Sequence, residues 1–218
     1  VLKLLVKKTE VGSDISRIIL TEEAPLSFEE DVIDEANKIP QSLSEIDYQG
    51  REDFRDHLIV TIDGQDALDF DDAVEIKRVL NGYEIGVHIA DVSNYVKSGS
   101  PIDLSAYERG TSIYVADRVV PMLPTQLSNG ICSLNPDVDR LVMSVIMNVD
   151  KYGNVFKTRF SKGVIRSKAR LTYNQVNDLF SGKDVDLPQD VKDMLFVMKE
   201  ATSFIRKKRE RNGALELD

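Results

Sequence analysis

Leu58-Ile59-Val60-Thr61-Ile62, then Asp63-Gly64-Gln65-Asp66-Ala67-Leu68-Asp69-Phe70-Asp71-Asp72, then Ala73 to Leu80, Asn81-Gly82 and Tyr83 to Ala90 follow one another without a break. The first run is short, apolar and rich in β-branched residues, the composition of a buried strand. Asn81-Gly82 between two β-rich runs is the strongest short-range hairpin signal, because a type I′ turn needs positive φ at both central residues. In the second hairpin strand Tyr83, Ile85, Val87 and Ile89 share one face. A strand, an acidic loop and a hairpin in succession predict an antiparallel sheet.

The pattern continues outward. Leu141 to Val149 reads as a long apolar strand, turned by Asp150-Lys151-Tyr152-Gly153 into a partner running to about Ile165. Asp103 to Glu108 is a short helix stopped at Gly110. Thr172-Tyr173-Asn174-Gln175 is a capping box opening a helix that closes near Gly182. The last helix spans about Asp190 to Asn212, with Val191, Met194, Leu195, Met198, Ala201 and Ile205 as its apolar stripe and Gly213 as its C′ residue. Upstream, Ser27-Phe28-Glu29-Glu30 is a second capping box, opening a helix with Phe28, Val32, Ile33 and Ala36 on one face and ending before Pro40. Gln41 to Arg55 is polar and reads as a connecting loop. Strands dominate the middle and helices the ends, so the predicted class is α+β, a mostly antiparallel sheet with flanking helices.

A chain of 218 residues with 42% hydrophobic and 30% charged residues fits a soluble globular protein. No apolar run approaches the roughly 20 residues of a membrane span. The start, Val1 to Lys8, is too short for a secretory signal and lacks a cleavage site; without an initial Met it reads as cut from a longer protein or processed. The single cysteine, Cys132, cannot form an internal disulfide, which agrees with a reducing, cytoplasmic setting. The net charge of −9 by itself argues against nucleic-acid binding. Its distribution softens the objection. Glu22 to Asp47 holds nine acids and one base, whereas Lys157 to Arg170 holds six bases and no acid, and Arg206 to Arg211 five bases and one acid. The C-terminal third is thus free to face an anion, although cations on a helix end also suit the helix dipole.

The chemistry concentrates in Asp63, Asp66, Asp69, Asp71 and Asp72. Carboxylates folded together repel, so one is protonated or a cation intervenes. Oxygen-only ligands suit hard cations such as Mg²⁺ or Mn²⁺, and such sites commonly serve phosphoryl chemistry. In extended chain Asp69 and Asp71 face one way and Asp72 the other, while Asp63 approaches from the preceding strand end; Asp66 is mid-loop and can simply be solvated. Three plainer readings compete: a turn, a Ca²⁺ loop and a surface acidic patch. The Ca²⁺ loop fits worst, since the EF-hand order and its bidentate Glu are absent.

The order Thr61-Ile62-Asp63-Gly64 through Asp69-Phe70-Asp71-Asp72-Ala73, then His88-Ile89-Ala90-Asp91-Val92-Ser93, then Tyr114 and Pro121-Met122-Leu123-Pro124, then Leu127-Ser128 and Cys132-Ser133-Leu134, resembles the RNase II/RNase R family of exoribonucleases. The resemblance runs from about Arg51 to Leu179, and the loop with Gly64 looks closer to the RNase R branch. It implies that residues 51–218 are the N-terminal part of an RNB catalytic domain, that 11–50 are a linker with a helix, and that 1–10 are the tail of a cold-shock-like domain. It implies direct Mg²⁺ ligation by Asp63 and Asp72, and ligation by Asp69 through water or to a second metal. Asp71 and Asp69 are the implied catalytic carboxylates, loss of Asp71 abolishing cleavage while sparing RNA binding. Tyr114 is the implied aromatic that stacks near the 3′-terminal nucleotide and sets product length. From the residues alone, Tyr114 beside Ile113 and Val115 reads as a core aromatic.

The implied activity is Mg²⁺-dependent (Mn²⁺ also admissible), processive 3′→5′ hydrolysis of single-stranded RNA to nucleoside 5′-monophosphates, with the RNA 3′ end as partner. The alternatives are a catalytically silent RNA-binding homologue and an unrelated metal-binding structural domain. The family's later half is missing, including its His-Tyr-Thr-Ser-Pro string and the Glu and Arg of the scissile-phosphate site, so the chain by itself is expected to be inactive. Asn94 stands where a His commonly follows the Asp-Val-Ser string. His88, on the strand face opposite Val87 and Ile89, is expected to be structural or to contact phosphate, His57 has no assigned role, and Cys132 is expected to be a small buried residue.

Overall fold

Apolar runs and turn residues resolve, in chain order, into α1 (Ser13–Thr21), α2 (Glu30–Lys38), β1 (Glu52–Asp53), β2 (Val60–Asp63), β3 (Asp72–Val79), β4 (Gly82–Ala90), α3 (Pro101–Arg109), β5 (Ile113–Val115), β6 (Arg118–Val120), β7 (Asp139–Val149), β8 (Val155–Arg166), β9 (Ala169–Thr172), α4 (Tyr173–Phe180) and α5 (Gln189–Arg211). The computed structural model describes residues 13–22, 25–115 and 118–214. The expectation for residues 1–10 lies outside them. Two compact units emerge: the described part of Val1–Gln41 with Val92–Gly130, and Ser42–Asp91 with the described part of Ile131–Asp218. This division by contact cuts across the chain-order division at residue 51, because Val92–Gly130 groups with the upstream segment. No helix among the described residues is long and apolar enough to cross a membrane.

The second unit is built on a seven-stranded sheet in the order β1-β8-β7-β4-β3-β2-β9. Its four central pairings, β8·β7, β7·β4, β4·β3 and β3·β2, are antiparallel, and the two outer ones, β1·β8 and β2·β9, are parallel. The predicted α+β class with a mostly antiparallel sheet therefore holds. One parallel edge comes from the segment read as loop, where Glu52 and Asp53 pair with Gly163 and Val164; the other is β9.

The hairpin forms one residue away from the predicted register. Val79 pairs with Gly82, so Leu80 and Asn81 make the connection. Gly82 has φ +141°, and among the described residues Asp137 alone is a non-glycine at positive φ, so the type I′ turn predicted for Asn81-Gly82 is not adopted. A Cβ on Gly82 would lie 2.1 Å from the Val149 carbonyl oxygen. The glycine serves the close approach of the β7 end rather than the turn itself.

Helices α4 and α5 cover one face of the β3–β2–β9 side of the sheet. Val60, Ile76, Tyr83 and Leu171 from the strands meet Val176, Leu179, Val191, Met194, Leu195 and Ala201 from the helices. A fully buried aliphatic side chain in such a layer contributes about 1.5–3 kcal/mol relative to exposure. The capping box of α4 forms as predicted: Gln175 N–H donates to Thr172 Oγ1 at 3.2 Å, and Thr172 N–H donates to Gln175 Oε1 at 2.9 Å. This box fixes where β9 becomes α4, next to the acidic loop.

In the first unit α2 begins later than its sequence suggests. Its N-cap is Glu29, without a side-chain cap bond, and Ser27 is not the cap. The reason is Arg109 at the end of α3. Its Nη1 donates to Pro25 O at 2.9 Å and to Pro121 O at 3.2 Å, its Nη2 to Ser27 O at 2.6 Å, and its guanidinium carbon lies 3.8 Å from the Phe28 ring centroid. Arg109 holds residues 25–28 outside the helix. Val32 and Ala36 are buried as expected, and Glu35 Oε2 accepts from the Ile102 N–H at 2.8 Å, joining α2 to α3.

Candidate acidic active site

The acidic residues occupy the ends of two neighbouring strands. Asp63 closes β2 and Asp72 opens β3, with Asp69 and Asp71 in the loop between. β2 is held on both sides, by β3 through Val60↔Val74 and by β9 through Val60↔Ala169 to Asp63↔Thr172. The loop is anchored from several directions. Ser133 Oγ donates to Leu68 O at 3.0 Å and accepts the Phe70 N–H at 3.0 Å. Leu134 N–H donates to Phe70 O and Ala90 N–H to Asp71 O, each at 2.9 Å. Phe70 is buried. Arg170 Nη2 reaches the carbonyls of Gly64 at 3.1 Å, Gln65, and Ala67 at 3.4 Å, with the guanidinium carbon 5.2 Å from the Phe70 ring centroid.

The four predicted carboxylates act on one another. Asp63 is displaced upward from the ordinary carboxylate range, first by burial, then by the charge of Asp72 and, more weakly, of Asp69. Thr61 and Arg170 offset part of that rise. The Thr61 hydroxyl eases the Asp63 charge by proximity, yet Thr61 Oγ1 and Asp63 Oδ2 are both buried without a hydrogen-bond partner. Asp71 is also displaced upward, by partial desolvation and by Asp69 and Asp72, although its side chain still reaches solvent. Among the described residues no set of three or more His, Cys, Asp or Glu side chains stands in metal-ligating geometry. The sequence-predicted site is thus an interacting cluster of like charges with one orphaned, buried carboxylate oxygen. An all-oxygen donor set with an unsatisfied anionic atom fits a hard divalent cation.

The remaining candidates separate cleanly. Tyr114 lies on β5 in the first unit, paired with Val119, and is 66% exposed, which excludes a core aromatic. His88 is fully buried and structural: its Nδ1 lies 2.8 Å from Ser144 Oγ, and its Nε2 lies 3.4 Å from Glu75 Oε1 without hydrogen-bond alignment. His57 Nδ1 sits 2.9 Å from Glu75 Oε2, so both histidines of the chain attend one glutamate. Cys132 is buried, and burial pushes its thiol up to about 12. The bases of the run from Lys157 to Arg170 are mostly exposed, and four of the six have partners within the protein. Arg159 makes two bonds to Glu52, Arg166 pairs with Asp139, Lys168 donates to Arg55 O, and Arg170 holds the acidic loop.

Three contributors escaped the sequence reading. Ser133 sits inside the Cys132-Ser133-Leu134 string, and its two-way bonding to the loop backbone has no local signature. Arg51 Nη2 pairs with Asp91 Oδ2 at 2.7 Å, with 6% and 2% of the side chains exposed, and fixes the end of β4. Asp91 in a run of small and apolar residues was the available signal for a buried partner. Arg170 was hidden among five other bases.

Residues 51–218 match the RNB-domain family. Ribonuclease R 1 of Lactococcus lactis subsp. lactis is 42% identical over 221 residues, which take in 100% of this chain and 27% of that protein. Ribonuclease R of Thermotoga maritima is 44% identical over 219 residues, 99% of this chain and 31% of that protein. Among solved structures, Mycoplasma genitalium RNase R in complex with double-stranded RNA superposes with a TM-score of 0.92 at 31% identity, covering 98% of this chain and 38% of that one. The chain therefore spans about a quarter to two fifths of the relatives it matches.

Proposed function

The chain belongs to the RNB-domain family, and from that premise we propose that it carries the acidic part of the active site of a Mg²⁺-dependent, processive 3′→5′ exoribonuclease acting on single-stranded RNA. The observation that carries this reading is the Asp63 carboxylate. It is half-buried beside Asp72 and Asp69, with one buried oxygen lacking any hydrogen-bond partner, at the end of a strand pinned on both sides. A structural carboxylate in that position would be matched by a donor.

Asp63 and Asp72, from the two strand ends, would hold the ion, with Asp69 acting through water or toward a second ion. When bound, a divalent ion offsets the phosphate charge and acidifies attacking water. Asp71, at the loop exit and open to solvent, orients that water by accepting its hydrogen bond. The water oxygen would bond to phosphorus as its proton passes to solvent, the P–O3′ bond would break with O3′ taking up a proton from solvent, and the terminal residue would leave as a nucleoside 5′-monophosphate. Tyr114 contributes a stacking face, which tolerates any base; its exposure supports that role. A cytoplasmic setting belongs to the same reading, supported by the single, buried cysteine.

The experiment uses the full-length protein, a labelled single-stranded RNA and Mg²⁺, with an EDTA control. Mononucleotides accumulating from the 3′ end without long intermediates are the expected result. Tight RNA binding with no cleavage in any divalent ion would identify a silent RNA-binding homologue instead.

A further inference from the structure

Arg170 stands in a different relation to the acidic loop from every other base of its run. Its partner on β2 is Thr61, two residues before Asp63. From there the side chain crosses the strand end and gathers three loop carbonyls, those of Gly64, Gln65 and Ala67, onto one guanidinium nitrogen. The same guanidinium lies over the ring of Phe70, the buried anchor between Asp69 and Asp71. Its Nε is buried without a hydrogen-bond partner. Arg170 so touches both halves of the segment that carries the acidic side chains: the backbone just after Asp63, and the aromatic ring just before Asp71.

The alternatives for such a residue are weaker. A surface cation would bind a carboxylate or water, as Arg159 and Arg166 do with Glu52 and Asp139. A direct salt bridge to Asp63 would quench the site's charge, and Asp63 Oδ2 is left without a partner. Arg170 instead places its donors on backbone carbonyls. It lends positive potential to the loop and fixes the loop's course while Asp63 Oδ2 keeps no hydrogen-bond partner. Planar, multi-donor geometry is what guanidinium offers and ammonium does not.

We propose that Arg170 is a positioning residue that sets the loop Gly64–Phe70 so that Asp63, Asp69 and Asp72 can receive a divalent cation. The inference rests on the functional reading above and names a residue through which that site is organised. Groups that orient ligands from behind typically change metal affinity or activity about 10- to 100-fold when removed.

The test uses the full-length protein, stripped of metal, in its wild-type form and as Arg170→Ala, Arg170→Lys and Arg166→Ala. Mn²⁺ binding is measured by titration calorimetry, with thermal unfolding followed in parallel and kcat and KM determined on single-stranded RNA. Arg170→Ala is expected to weaken Mn²⁺ binding about 10- to 100-fold and to lower kcat with KM for RNA nearly unchanged. Arg170→Lys should fall between, because an ammonium can reach a carbonyl but cannot span three and stack on Phe70 as well. Arg166→Ala removes an ion pair of the same strand region and should leave Mn²⁺ affinity as in wild type. Wild-type Mn²⁺ affinity in folded Arg170→Ala overturns the proposal. So does an equal loss in Arg166→Ala, which would mark general loosening. If Arg170→Ala does not fold, Arg170→Lys decides: full wild-type affinity there overturns it as well. A wild-type protein that neither binds Mn²⁺ nor cuts RNA defeats the functional reading itself, and this inference falls with it.

Discussion

Two groups of carboxylates sit on the same sheet and are treated in opposite ways. Glu75, in the middle of β3, has only 15% of its side chain exposed, and burial alone would raise it; the imidazoles of His88 and His57 overcome that and hold it below the ordinary carboxylate range. Room for the arrangement is cut by glycine, since a Cβ on Gly86 would lie 2.7 Å from Glu75 Cγ. Asp139 is likewise held low by Arg166, Tyr48 and Arg55 against its own burial. At the same end of the sheet, Asp63 and Asp71 are pushed the other way, by desolvation and by the charges of Asp69 and Asp72, with Thr61 and Arg170 offsetting only part of the rise at Asp63. On the proposed reading, the contrast between structural acids matched by donors and an Asp63 oxygen left without one marks where a cation would be held.

The largest test of that contrast is Asp71→Asn in the full-length enzyme. If the acidic cluster is catalytic, turnover should fall by at least about 3 kcal/mol of transition-state stabilisation while RNA affinity stays nearly unchanged. Parallel losses in binding and turnover would place Asp71 with Glu75 as a structural residue, and the contrast would disappear.

Glu75→Gln should do the reverse. It leaves two imidazoles facing an amide and should cost about 1–3 kcal/mol of stability in urea unfolding, with Mn²⁺ affinity unaltered. The pH dependence carries the sign. A carboxyl lower in the folded state than in the unfolded one contributes stability above its unfolded value near 4.5, and loses it as pH falls through the folded value. The wild-type protein should therefore lose more stability on acidification below about pH 4.5 than Glu75→Gln does. Identical acid profiles would show that Glu75 is not matched as described.

The sheet and its helices were legible because they rest on local period and punctuation: the stripe of α5 from Val191 to Ala201, the Thr172 capping box and the Gly153 turn stand where the residues put them, with Phe204 rather than Ile205 packing at the end of the stripe. What was not legible rests on contacts far apart in sequence. The hairpin register shifted because the end of β7 crowds Gly82, and α2 starts late because Arg109 holds Ser27 from another helix. In the site, the acids were visible as a cluster between strands, but their support was not. Ser133 and Arg170 act on backbone carbonyls and an N–H some 65 and 105 residues away in sequence. A backbone acceptor has no residue identity to read. Arg109 and Arg170 gather carbonyls and an aromatic in the same manner in the two units, and neither use can be told from a solvated charge by composition.

The smallest expected effect is also the one most specific to the contrast. Asp63 is displaced upward, so its folded form favours the proton more than its unfolded form does. Such a group favours folding only when protonated. Its contribution is full below the unfolded value, shrinks as pH rises between the unfolded and folded values, and is a net cost at neutral pH in the absence of a cation. Asp63→Asn removes the charge and keeps the shape, and Asn can donate toward Asp72. In metal-free buffer at pH 7 it should therefore raise stability by a few tenths to about 1 kcal/mol, discounted for the site's partial access to water. In saturating Mg²⁺ the order should invert, because the wild type gains binding energy that the variant cannot. Urea unfolding of both proteins with and without Mg²⁺ gives the four values needed. Destabilisation by Asp63→Asn in metal-free buffer would mean that its carboxylate is already matched within the protein, as Glu75 is, and that the unmatched cluster is not what distinguishes this end of the sheet.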